Sequence, residues 1–300
     1  MGFLSGLPSV RRRTQFNAPL SRSLLRWLWL AHAAGTARAR RPHRPAPADR
    51  PSRLGLARAG PLDEAALRRA HTPALLKRIE EPGDIDEDTP HFPDIARHAR
   101  RAVAAALDAA HAALTGQRAF ALMRPPGHHC TRNQAMGFCY LNQIAVAALE
   151  AQADRGVRVA VWDFDAHHGN GTEDILEGKP GTFFASVHQS PGYPGTGTRS
   201  TVNCRNFPVK PHTPRELHLA ELARSWEAVL SFKPDLVLVS AGFDAFEGDP
   251  ITEMTLALDD FATLGRWLRQ SGLPAAAVLE GGYSDQLPQL IDAFLTAWDQ

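Results

Sequence analysis

Short, mostly apolar runs recur at Ala119–Met123, Val157–Trp162, Phe183–Val187, Leu236–Ser240 and Ala276–Leu279. Each is separated from the next by enough chain for a crossover helix, the pattern of buried parallel strands. Between and around them the apolar positions change to helical spacing. Residues 62–80 carry Leu62, Ala65, Leu67, Leu75 and Leu76, and Ile95–Leu114 places Val103, Ala106, Leu107, Ala110 and Leu114 on one face. Arg215–Leu230 and Leu256–Leu268 are of helix length, and the chain ends with Leu287, Leu290, Ile291, Phe294, Leu295 and Trp298 at helical intervals. The stretch Glu81–Pro93 is rich in Pro, Asp and Glu and reads as a loop. Together these predict a single three-layer α/β domain, a central, mostly parallel sheet flanked by helices.

In such a sheet ligands bind beyond the carboxyl ends of the strands. The residues at those ends are unusually polar. The first run leads to Arg124-Pro125-Pro126-Gly127-His128-His129, the second to Asp163-Phe164-Asp165-Ala166-His167-His168-Gly169-Asn170-Gly171. The fourth leads to Ala241-Gly242-Phe243-Asp244 and the fifth to Glu280-Gly281-Gly282-Tyr283. Asp165 and His167, two apart at one strand end, can face one crevice, and Asp244 from another end supplies a third ligand. An Asp, His, Asp set with an open position suits a catalytic zinc, and Fe(II) or Co(II) fits the same donors. The adjacent His128 and His129 need partners to fix their tautomers, for which Asp163 and Asn170 are candidates. Tyr283, after two glycines, is a candidate donor to a developing oxyanion. His71, His91, His98, His111, His212 and His218 lack such company and read as surface or core residues.

Composition changes this picture at one end. The 300 residues carry a formal net charge of +1. Residues 1–60, however, hold twelve arginines against the single acidic Asp49, so the rest of the chain is acidic. Residues 1–58 therefore read as a basic, divergent segment, poorly ordered, partner-binding or concerned with targeting, ahead of a catalytic domain at 59–300. The apolar run Leu24–Ala37 contains Arg26 and is too short to span a bilayer. No aromatic platform or helix-turn-helix pattern accompanies the arginines, so direct nucleic-acid binding is not expected. Three cysteines, Cys130, Cys139 and Cys204, form no paired framework, which favours a reducing, cytoplasmic setting.

The ordered motifs Arg124–His129, Gly137-Phe138-Cys139-Tyr140-Leu141-Asn142, Asp163–Gly171, Ser240–Asp244 and Glu280–Tyr283 resemble the zinc-dependent histone deacetylase family. That family includes bacterial deacetylase-like and acetoin-utilisation-type amidohydrolases and the acetylpolyamine amidohydrolases. Asn170, where some members have Asp, is similar to the class II and bacterial branch. The resemblance implies an arginase/deacetylase fold and hydrolysis of an N-acetyl amide to amine and acetate. It implies Asp165, His167 and Asp244 as zinc ligands and His129, oriented by Asn170, as the general base. It implies His128 with Asp163 as an electrostatic partner and Tyr283 as the group that polarises the carbonyl. Gly137, Phe138, Tyr193, Ile251 and Gly282 match the substrate tunnel. Backbone atoms around Asp163, Asp165, His167, Ser186 and Val187 match a monovalent-cation site, usually potassium.

The expected substrate is the acetyl-lysine of a protein or peptide, or a small acetylated amine; homo-oligomerisation is left open. Arginase-like chemistry with two metals needs extra carboxylates where this chain has Gly169 and Phe246. An acetylpolyamine substrate is the nearer alternative, although the acidic gatekeeper of such enzymes is here Ile251, after Gly248-Asp249-Pro250. A third reading is a catalytically weak acyl-binding protein. It draws on the N-terminal segment, where the family's His-Pro-Glu-x-Pro-x-Arg loop has only Pro42-His43-Arg44-Pro45 and Arg50–Leu54 as counterparts.

Overall fold

The computed structural model describes residues 57–300. The expectations for the basic segment lie, apart from residues 57 and 58, outside the described residues. Six strands form one sheet in the order β1-β6-β5-β2-β3-β4, and every pairing is parallel. The strands are β1 (Ala119–Ala121), β2 (Val159–Asp163), β3 (Thr182–Gln189), β4 (Cys204–Val209), β5 (Leu236–Ala241) and β6 (Ala275–Leu279). Helices α1 (Glu64–Ala70), α2 (Pro73–Arg78) and α3 (Ile95–Leu114) precede the sheet. The remainder, α4 (Gln143–Arg155), α5 (Asn170–Leu176), α6 (Arg215–Ser231), α7 (Leu258–Gln270) and α8 (Leu287–Asp299), lie between or after the strands.

The pleat divides the core in two. Val159, Val161, Leu236, Leu238, Ala276 and Val278 pack with α1, α3 and α4 on one face. Their neighbours Ala160, Trp162, Val237, Val239, Ala275 and Ala277 pack with α6, α7 and α8 on the other. Strands buried on both faces are apolar throughout instead of alternating, which is why the central runs are so plain in the sequence. Where α7 meets α8 the contact is through Gly265: a Cβ there would lie 2.3 Å from the carbonyl oxygen of Phe294.

Register aligns the carboxyl ends. Asp163, at the end of β2, pairs with Ser186 on β3 and Ser240 on β5, and Ala241 pairs with Leu279 on β6. Four loops thus leave the sheet at one level.

The boundaries differ from the sequence pattern in several places. The segment 62–80 is two helices, because Thr72 caps the Leu75 N–H and Pro73 opens the second; the residue before a proline avoids helical geometry. The sheet has a sixth strand, β4, at its edge. Its sequence Cys-Arg-Asn-Phe-Pro-Val is half exposed and includes Pro208, tolerated where one side needs no partner. The first strand ends at Ala121, two residues short of Met123, and the helix expected from Leu256 starts at Leu258, where Asp260 accepts the Ala257 N–H. No helix among the described residues is long and apolar enough to cross a membrane.

Candidate active site

The loop after β2 folds back on itself through its own carboxylates. The Asp165 N–H donates to Asp163 Oδ1 (3.1 Å), and the His167 N–H to Asp165 Oδ1 (2.9 Å). From the β6 end the Gly281 N–H donates to Asp165 Oδ2 (2.7 Å), and the Ala166 N–H holds Asp244 Oδ1 (2.8 Å). These bonds leave His167 Nδ1 facing both Asp165 Oδ1 (3.2 Å) and Asp244 Oδ2 (3.0 Å). One ligand atom from each of Asp165, His167 and Asp244 lies within 4.8 Å of the other two. The approach is so close that a Cβ on Gly281 would sit 2.1 Å from Asp244 Oδ2.

The donor chemistry fits a cation. Asp163, Asp165, Asp244 and Glu280 are buried, and no Lys or Arg among the described residues pairs with any of them. Burial disfavours the charged imidazole of His167, but hydrogen bonds to Asp165 and Asp244 and their negative charge outweigh it and push its pKa up to about 10. A site that draws a proton so strongly offers a divalent metal two carboxylate oxygens and an imidazole nitrogen.

The two neighbouring histidines are driven in opposite directions. His128 Nδ1 lies 3.0 Å from Asp163 Oδ2 and its Nε2 is 3.7 Å from Asp165 Oδ1. Burial opposes its charge, yet Asp165 and Asp163 raise it to about 10. His129 is held well below the ordinary histidine value by burial and by the positive charges of His128 and His167. Its Nδ1 lies 2.8 Å from Asn170 Oδ1. Because the Asn170 amide nitrogen points to the His129 carbonyl and to Met136, its oxygen accepts and His129 Nδ1 carries the hydrogen. The lone pair of a neutral His129 is therefore on Nε2.

Aromatic rings stand beside this pair. Tyr193 meets His129 edge-on, with ring centroids 5.0 Å apart, and Gly137 lies between them. Phe138, whose φ is +66°, meets Tyr283 at 5.9 Å. Burial raises the Tyr283 phenol well above its usual range, so it carries its proton. Gly282, at φ +119°, packs on Phe243 and Leu287, and Ile251 follows a turn in which Asp249 accepts its N–H. Ser186 Oγ bonds His188, and Val187 is buried beside it on β3, whose last residue Gln189 donates its N–H to the Ala166 carbonyl. All the residues singled out from the sequence are thus at or bordering one end of the sheet.

Three residues there escaped that selection. Glu280 is fully buried and accepts from the N–H groups of Gly127 (2.7 Å) and His128 (3.2 Å) and from Ser240 Oγ (3.1 Å), tying three strand ends together. Arg124 reaches the carbonyls of Glu280 and Gly282. Asp249 accepts the Tyr283 N–H. Apart from Ser240 Oγ and the nearby Ile251 N–H, their partners are backbone groups distant in sequence. For Arg124 and Glu280 the available signal was their position in the polar strand-end motifs. His71, by contrast, is a core residue: it accepts the Asn142 N–H and its Nδ1 faces the Thr131 carbonyl.

Residues 43–298 match the family model of the histone deacetylase domain. The histone deacetylase-like amidohydrolase of Pseudomonas aeruginosa is 36% identical over 78% of this chain and 67% of its own length. The acetylpolyamine amidohydrolase of Mycoplana ramosa is 38% identical over 60% of this chain and 56% of its own. The chain thus spans between about half and two thirds of these curated relatives. Among solved structures, the HDA15 HD domain superposes with a TM-score of 0.74 at 31% identity, covering 91% of this chain and 78% of that one. The parallel sheet, the Asp-His-Asp cluster and these matches lead to one conclusion: the chain belongs to the histone deacetylase domain family, hydrolases that act on amides.

Proposed function

We propose that the chain is a zinc-dependent amidohydrolase that removes an acetyl or other short acyl group from an N-acylated amine, with acetyl-lysine of a protein as the favoured substrate. The observation that carries this reading is a neutral His129, its Nδ1–H held by Asn170, beside the Asp165–His167–Asp244 cluster. Zinc, with Fe(II) or Co(II) as substitutes, would be held by those three residues. When bound, it would supply Lewis acidity to the amide carbonyl and lower the pKa of water. A potassium ion against the backbone of Asp163, Asp165, His167, Ser186 and Val187 belongs to the same reading. Its support is the register that sets Asp163 opposite Ser186.

The chain's own groups divide the remaining work. His129 Nε2 takes a proton from the attacking water and returns it to the departing amine as the C–N bond breaks. His128, kept protonated by Asp165 and Asp163, helps keep His129 neutral before that transfer. Tyr283 donates its phenolic hydrogen to the carbonyl oxygen as negative charge develops there. Gly137, Phe138 and Tyr193, with Ile251 and Gly282 towards the far wall, border the path of the acylated side chain and exclude water from it.

An acetylpolyamine is the second reading. Burial raises the Tyr193 phenol, and Asp86 and Asp88 add to the shift, so two carboxylates lie within electrostatic reach of the path. That suits a substrate with a second cationic group. Purified protein with added zinc, assayed on an acetyl-lysine peptide and on an acetylated polyamine, separates the two by the ratio of kcat/KM. Turnover of either, abolished by chelation, supports the hydrolase. A folded, zinc-loaded protein that turns over neither would overturn it in favour of acyl binding without hydrolysis.

A further inference from the structure

Tyr283 sits at the end of a turn whose two preceding residues are glycines, the second at φ +119°. Glycines leave a turn conformationally permissive, so the place of the phenol depends on what holds the turn from outside. Two side chains from different loops do so. Arg124, after β1, donates through Nη1 to the Glu280 carbonyl (2.5 Å) and through Nη2 to the Gly282 carbonyl (3.1 Å). Its guanidinium carbon lies 5.4 Å from the centre of the Tyr283 ring. Asp249, after β5, accepts the Tyr283 N–H at Oδ2 (2.7 Å) and the Ile251 N–H at Oδ1 (3.1 Å).

Arg124 is half buried and forms no ion pair among the described residues. A half-buried charge without a carboxylate gains little stability from its setting alone. The rigid fork of a guanidinium, however, spans two carbonyls that a lysine ammonium cannot hold in the same way. A positive charge over the phenol ring also favours the phenol as a hydrogen-bond donor to developing negative charge.

We propose that Arg124 and Asp249 are positioning residues that clamp the Glu280–Tyr283 turn from two sides and fix the phenol of Tyr283 in its working orientation. The proposal rests on the reading of Tyr283 as the donor to the carbonyl oxygen. The clamp acts on one turn, so its loss is felt mainly through Tyr283.

The test compares Arg124→Gln, Arg124→Lys and Asp249→Ala in the full-length, zinc-loaded protein, with and without Tyr283→Phe. For each, kcat is expected to fall by about 10–100-fold with KM within about twofold, as for loss of an interaction made in the transition state. In the Tyr283→Phe background the same changes should cost less than about threefold, because the group they position is gone. Arg124→Lys keeps the charge but not the fork, and is expected to fall between wild type and Arg124→Gln.

An activity-independent readout is available because the chain has only three tyrosines. With 3-fluorotyrosine incorporated, the fluorine resonance of Tyr283 is assigned by its absence in Tyr283→Phe. Arg124→Gln and Asp249→Ala should shift or broaden that resonance and leave those of Tyr140 and Tyr193 unchanged. An unmoved Tyr283 resonance overturns the clamp, as does a loss of kcat equally large with and without Tyr283. If the wild type hydrolyses neither substrate while the variants still displace the Tyr283 resonance alone, the clamp stands and the hydrolase reading fails.

Discussion

Asn170 Oδ1 accepts the Nδ1–H of His129 at 2.8 Å. The bond decides the tautomer of the histidine, and because the amide is uncharged it favours the imidazolium less than a carboxylate would. Burial and the neighbouring charge of His128 hold His129 neutral. Asn170→Asp would place a negative charge at the same contact and raise the pKa of His129. A base must be neutral to accept a proton, so activity should then be lost at a higher pH as the solution is acidified. A pH profile of kcat/KM tests this: the acidic limb moves up in Asn170→Asp, and an unmoved limb means that His129 is not the base.

Tyr283→Phe removes one hydroxyl from a ring whose place is otherwise kept by Phe138 and Arg124. The expected result is a fall in kcat of about 10²–10³, the usual size for loss of one oxyanion donor, with KM and Tm little changed. A comparable rise in KM at constant kcat would instead assign Tyr283 to substrate binding.

The cluster of Asp165, His167 and Asp244, with both carboxylates buried, predicts a link between metal and stability. A ligand that binds only the folded state stabilises by about 2.7 kcal/mol at a hundredfold excess over Kd. Zinc added to chelator-treated protein should therefore raise Tm, and Asp244→Ala, which removes one of the three proposed ligands, should abolish most of that rise. Differential scanning calorimetry with and without zinc measures both, independently of any substrate. An equal rise in Asp244→Ala would place the ion elsewhere.

How legible this was in the sequence depended on whether the cause was local. β2, β3 and β5 are buried on both faces, so Val157–Trp162, Phe183–Val187 and Leu236–Ser240 announce themselves as apolar runs. β4 did not, since an edge strand with Arg205 and Pro208 needs only one apolar side. The Asp-His-Asp cluster was readable because Asp165 and His167 are two residues apart at a strand end and Asp244 closes another. Glu280 and Arg124 were not, because they bind backbone groups of loops more than 150 residues away in sequence, and backbone partners leave no residue type to recognise. The break of the first helical stretch at Pro73 was present in the sequence as a proline, but the apolar spacing on either side of it hid the boundary.

Gly137 is where the packing around His129 can be tested against the backbone. Its φ is +55°, and a Cβ would lie 2.7 Å from Cδ2 of His129 and 2.8 Å from Cε1 of Tyr193. Gly137→Ala therefore carries two penalties: a left-handed conformation, costing roughly 1–2 kcal/mol for a residue with a side chain, and a collision with two rings that define the site, for which overpacking costs of about 1–3 kcal/mol are typical. Gly178 separates them. It has a similar φ of +69° but nothing within 4 Å of where its Cβ would stand, so Gly178→Ala bears the backbone penalty alone. Chemical denaturation of the two variants should show Gly137→Ala as the less stable, and turnover should survive in Gly178→Ala and collapse in Gly137→Ala at a denaturant-free condition where both remain folded. Equal stability and equal turnover in the two would mean that His129 and Tyr193 can move apart at little cost, and that the narrow contact between them is not what shapes the path to Asp165, His167 and Asp244.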